Sequence, residues 1–89
     1  MATLFVRHDV VDFATWRQAY DDFDAERTTM GVTGHGVYQA EGDPNNVTIY
    51  HHFDSMEAAM AFMQSPRLRE AMAAAGVQGE PTVWFANRV

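Results

Sequence analysis

Gly42-Asp43-Pro44-Asn45-Asn46-Val47-Thr48-Ile49-Tyr50-His51-His52-Phe53 is the stretch that decides the fold. Gly42 to Asn46 are all turn formers. Val47 to Phe53 are β-branched or aromatic, without a 3.6-residue period, so a turn feeds the clearest strand in the chain. Upstream, Val32 to Ala40 is predicted as strand 2, in which Gly34 and Gly36 permit a bulge or a close backbone approach. The two strands make a hairpin. Before them, Asp12 is a good N-cap, and Phe13, Trp16, Tyr20, Phe23, Arg27 and Met30 recur at spacings of three and four, as on one face of a single long helix. Arg17, Asp21, Asp22 and Asp24 form its solvated face, and Gly31 stands where a C-terminal cap is wanted. The chain opens on a strand from Thr3 to Val10.

Downstream, Asp54 and Glu57 read as a capping box for a helix presenting Met56, Met60 and Met63 with Ala59 and Phe62. Ser65-Pro66 restarts the chain as N-cap and first helical residue. Arg67 to Ala75 then places Leu68, Met72 and Ala75 inward, with Gly76 as cap. Gly79-Glu80-Pro81 is predicted as a turn and Thr82 to Arg88 as the last strand. The resulting order is that of an α+β, ferredoxin-like βαββαβ domain with a four-stranded antiparallel sheet, one domain over residues 1–89.

Composition narrows the classes. The chain has 89 residues, 47% of them hydrophobic, with 6 Phe, 3 Tyr and 2 Trp, so it has the means to fold. With no Cys, disulfides, thiolate metal sites and cysteine nucleophiles are excluded. The net charge is −6, and the 6 basic residues are scattered arginines, which speaks against nucleic acid and anionic membranes as partners. Neither a long apolar run nor a signal-like N-terminus is present, and a cytoplasmic location is expected.

Neither face of the predicted sheet is polar. Leu4 and Val6 oppose Phe5, Val47 and Ile49 oppose Tyr50, and Val83 and Phe85 oppose Trp84. Since the helices cover one face, a second copy of the chain is expected on the other, making a homodimer.

The stretches Val6 to Trp16, Gly31 to Tyr38, Asp43-Pro44-Asn45, Ser65-Pro66 and Ala75-Gly76-Val77 together resemble the dimeric α/β-barrel proteins, covering nearly the whole chain. These include antibiotic-biosynthesis-monooxygenase-like and small polyketide-cyclase-like members. The resemblance implies two sheets closing into a barrel between subunits, with a pocket in each protomer. It implies fold more than activity, because one fold hosts many reactions. Its haem-degrading branch needs an axial His on a helix, and none of the histidines here falls on one.

His8, His35, His51 and His52 all fall on predicted strands. His51 and His52 point to opposite faces and cannot chelate one metal together. A His8–His51 cross-strand pair with a third donor could hold Zn or Cu, but no suitably spaced carboxylate accompanies it, and no metal or other cofactor is expected. If Leu4, Val6, Val47, Ile49, Val83 and Phe85 face the helices, then Phe5, Arg7, Thr48, Tyr50, His52, Trp84 and Ala86 share the barrel interior. In the other register His8, His51 and Phe53 line the cavity, and the sequence leaves both open. The catalytic candidates are His35, His51 or His52 as general base, with Arg7 or Tyr50 holding an enolate. The binding candidates are His8, Phe5, Tyr38, Phe53 and Trp84. Such rings and donors suit a small phenolic or polyketide-like ligand in a monooxygenase or cyclase reaction. The competing expectation is a non-catalytic dimeric binding module, in which Arg7 pairs with an acid, Trp84 fills the interface and the helix 1 aromatics are core.

Overall fold

The computed structural model describes residues Met1–Val89. The elements run β1 (Ala2–Val10), α1 (Phe13–Asp22), α2 (Asp24–Thr29), β2 (Val32–Ala40), β3 (Asp43–Phe53), α3 (Met56–Gln64), α4 (Pro66–Ala74) and β4 (Val77–Asn87). The four strands form one antiparallel sheet in the order β2-β3-β1-β4. This is the ferredoxin-like α+β arrangement, with the helices packed on one face. No helix is long and apolar enough to cross a membrane.

The core follows from period-2 alternation. Leu4, Val6, His8 and Val10 of β1 and Val47, Ile49, His51 and Phe53 of β3 are buried on the helix side. Phe53 and Phe62 pack at 5.4 Å under α3, and Trp16 stacks on Tyr20 at 4.9 Å under α1. These are the centres of two adjoining apolar clusters. Asp12 accepts the Thr15 amide at 3.0 Å and caps α1, and the left-handed Gly31 and Gly76 follow the ends of α2 and α4 as the sequence suggests.

Several boundaries differ from expectation. The long first helix breaks at Phe23, whose amide is shared between the Ala19 and Tyr20 carbonyls at 3.2 Å each and whose ψ opens to −1°. That is a tight 3₁₀-like turn, placed where three aspartates in four residues weaken helix propensity. Helix α3 is capped by Ser55, which accepts the Ala58 amide at 3.2 Å, so the cap falls one residue after Asp54. Its inward pair is Ala59 and Phe62, whereas Met60 is exposed. Strand β3 starts at Asp43, reducing the expected turn to Glu41-Gly42, and an irregularity between Gln39 and Ala40 absorbs the extra residues. Strand β4 continues through Gly79-Glu80-Pro81 with a bulge, since Thr82 pairs with Arg7 and Gln78 with Asp9, and Gly79 takes a left-handed φ of 67°. An edge strand tolerates proline, because one side of it makes no ladder bonds.

Candidate functional site

The register settles which side chains share a face. Leu4, Val6, His8, Val47, Ile49 and His51 look toward the helices, whereas Phe5, Arg7, Tyr50, His52 and Trp84 look away from them. His51 lies opposite Leu4 and His8 opposite Val47, so the imagined His8–His51 cross-strand pair does not form. Nowhere do three His, Asp or Glu side chains converge as a metal site requires.

A cavity of about 60 Å³ lies between sheet and helices. Its wall is mainly apolar, from Trp16, Phe62, Met63 and Met72 among others, and its polar members are His8, Tyr20, Arg27 and His51. His8 is 5% exposed and His51 4%, and none of their four ring nitrogens has a hydrogen-bond partner in the protein. Arg27, 2% exposed, also leaves its Nε unpaired. An unpaired buried polar group costs about 1–3 kcal/mol, so these nitrogens call for a partner that enters the cavity, a ligand or ordered water.

Burial sets the charge states. The His51 imidazole is pushed down to about 3, first by desolvation and then by the positive fields of Arg27, His35 and His52. His8 is lowered by desolvation, against a smaller opposing pull from Asp9. Both rings are therefore neutral at pH 7, and each offers one N–H donor and one bare nitrogen acceptor. Arg27 is the only charged side chain in the wall. Its guanidinium carbon sits 3.7 Å from the centre of the Tyr20 ring, and one nitrogen meets Asp24 at 3.3 Å.

His35 stands behind that wall. Its Nδ1 lies 2.7 Å from the Tyr20 hydroxyl and its Nε2 3.3 Å from Asp24, while its ring stacks on His51 at 6.2 Å. The irregularity between Val32 and Gly34 is what brings His35 inward, since without it His35 and Val32 would face opposite sides. The Tyr20 hydroxyl is pushed up to about 12, mainly by burial.

The open face holds a second pocket, more open and larger at about 360 Å³, lined by Thr3, Phe5, Tyr50 and His52 among others. Trp84 stacks on Phe5 at 5.3 Å, and Tyr50 lies 6.2 Å from Tyr38 and 4.9 Å from His52. Gly36 makes room there, because a Cβ on it would overlap the Tyr50 ring. His52 is satisfied by Thr3 at 2.9 Å, and Arg7 is turned to Asn46 at 2.9 Å.

The sequence candidates are thus divided by the sheet. His8 and His51 line the helix-side cavity with His35 behind its wall, and Phe53 packs beneath α3. Phe5, Arg7, Tyr38, Tyr50, His52 and Trp84 lie across the sheet. No single small ligand can touch Arg7 or Tyr50 together with His35 or His51. Arg27 and Tyr20 belong to the helical stripe whose spacing predicts core, and Asp24 to the predicted solvated face; the signal that points to them is the one charged residue in an otherwise apolar stripe.

The sequence profile of a family described as antibiotic biosynthesis monooxygenase matches residues 1–74. No curated protein sequence matches the chain. Among solved structures, SnoaB of Streptomyces nogalater, a cofactor-independent oxygenase, superposes with a TM-score of 0.75 at 15% identity, over 99% of this chain and 94% of that one. A Bordetella bronchiseptica protein carrying the family's name superposes with a TM-score of 0.84 at 15% identity, over 99% and 96% of the two chains. One from Caulobacter crescentus gives 0.78 at 15%, over 99% and 89%. At such identities the likeness is one of fold.

Proposed function

Because the chain belongs to the antibiotic biosynthesis monooxygenase family, we propose that it is a small monooxygenase-type enzyme that oxidises a phenolic or enolisable aromatic compound without a cofactor, in the helix-side cavity. The observation that carries this reading is the pair of buried, neutral, unpartnered imidazoles of His8 and His51 beside the unpaired Arg27 Nε. Two donor–acceptor rings and one cation in an apolar wall complement a flat ligand with oxygens at its edges. Removing a proton from such a ligand leaves an electron-rich anion, which Arg27 stabilises in a low-dielectric site. The anion reduces O₂. For anthrone, a convenient probe, the balance is C₁₄H₁₀O + O₂ → C₁₄H₈O₂ + H₂O, with one oxygen atom entering the ring carbon and the other leaving as water. A three-ring ligand exceeds the cavity as it stands, and the flexible Met63 and Met72 are the walls able to give way.

The test follows anthraquinone formation and O₂ uptake with purified protein in air. Enzyme-dependent oxidation supports the proposal. Quenching of Trp16 fluorescence by anthrone without product favours a non-catalytic binding module instead.

The open face supports a homodimer as the working unit. Tyr38 is 62% and Trp84 42% exposed, in an aromatic row that the protein's own helices leave uncovered. Sedimentation at micromolar concentration is expected to give a dimer, and Trp84→Asp a monomer. A monomeric wild-type chain would contradict this assignment.

A further inference from the structure

Tyr20, His35 and Asp24 lie in a row that leads from the cavity wall toward solvent. Asp24 is 61% exposed in its side chain, and one of its carboxylate oxygens lies 3.3 Å from Nε2 of His35, an electrostatic contact rather than a hydrogen bond, whose field favours the ring proton on Nε2. Nδ1 is then bare, and at 2.7 Å it accepts from the Tyr20 hydroxyl. That leaves the phenol oxygen with free lone pairs, and Tyr20 is one of the residues that line the cavity. From this geometry we infer that Tyr20 is the catalytic residue that takes the substrate proton, passing its own to His35, while Asp24 positions His35 and stands beside the imidazolium that forms.

The inference rests on the proposed oxidation and gives its first step a route. The substrate's O–H or C–H bond breaks and a new O–H bond forms on Tyr20. Tyr20's original O–H bond breaks and Nδ1–H forms on His35. The negative charge stays on the substrate beside Arg27, and the positive charge sits on His35 beside Asp24. The His35 side chain is 33% exposed, so its imidazolium can return a proton to water. Tyr20 acts as a relay and never as a stored phenolate, in keeping with a hydroxyl held near 12. The two cavity histidines are the alternative bases. His51, near 3, is too weakly basic to drive the transfer at neutral pH and serves to bind the ligand's oxygens. The groups facing His35 are Tyr20 from α1, Asp24 from α2 and His51 from β3, with Arg27 acting through the shared Asp24.

Two readouts test the relay, one of them independent of turnover. In long-range ¹H–¹⁵N spectra of ¹⁵N-histidine-labelled protein, neutral His35 is expected as the Nε2–H tautomer; an Nδ1–H tautomer overturns the relay. With anthrone and O₂, Tyr20→Phe keeps the ring over Arg27 and is expected to lower kcat about 100-fold with little change in KM. Asp24→Asn, which keeps the side chain's shape and removes its charge, is expected to lower kcat less than Tyr20→Phe does and to weaken the preference for the Nε2–H tautomer. Wild-type kcat in Tyr20→Phe overturns the inference. If wild-type protein does not oxidise anthrone, the proposed function fails on this probe. The relay is then judged by the tautomer, an Nδ1–H ring counting against it.

Discussion

Arg27→Met is expected to lower kcat/KM for anthrone oxidation by about 100- to 1000-fold, the loss typical of removing one preorganised donor to a developing oxyanion. Folding stability in urea, by contrast, should stay level or rise. The two effects separate because Arg27 is a buried cation with imperfect partners: its Nε is unpaired and its one carboxylate, Asp24, is largely solvated. The desolvation of such a charge is poorly compensated, and an apolar side chain of similar length in its place is often neutral or stabilising. The contact with the Tyr20 ring at 3.7 Å is the part of stability at stake, and a thioether placed against the same ring recovers much of it. A variant that loses stability and keeps its activity would show Arg27 to be a structural residue.

The second large effect is acid lability that begins well above carboxylate titration. His51 has its folded-state value pushed down to about 3 from an ordinary 6.5. Its folded form therefore binds fewer protons than the unfolded chain throughout that window. Stability is fully present above pH 6.5 and is lost as the pH falls toward 3, below which both forms are protonated and the slope vanishes. The full span corresponds to roughly 5 kcal/mol, a large part of what holds a domain of this size together. His8 adds a loss of the same sign from the same cause, desolvation. His51→Phe, which places an apolar ring beside Phe62, is expected to remove most of the dependence between pH 6.5 and 4 and to raise stability at pH 5. Urea midpoints between pH 4 and 8 measure this directly. A wild-type profile flat between pH 5 and 7 would mean that His51 takes up a proton in the folded state.

Much of the architecture was legible because it rests on local rules. Alternation in Val47 to Phe53 and in Leu4 to Val10 separated His51 from His52, and the turn and cap residues ordered the elements. The break at Phe23 was not legible, since the apolar spacing of three and four continues across it with no Gly or Pro to mark it. Nor was the inward placement of His35, which depends on an irregularity between Val32 and Gly34 that glycine permits without specifying. The site was harder still. Period-2 reasoning offered two possible faces, and only the helix packing shows that the enclosed one holds the unpartnered histidines. Arg27 and Tyr20 come from a helical stripe whose spacing reads as core, and they are core in position. What distinguishes them is the company of His35, His51 and Asp24, which tertiary contact alone provides.

The most direct test of the helix-side cavity as the functional site is a titration of ¹⁵N-histidine-labelled protein with 1-hydroxyanthraquinone, an unreactive planar mimic of an oxidised ligand, followed at the four imidazoles. The expected result is that His8 and His51 shift together, as their unpaired nitrogens meet the ligand's oxygens, while His52 on the open face stays in place. Movement of His52 with His8 and His51 unchanged would put the ligand across the sheet and contradict the assignment.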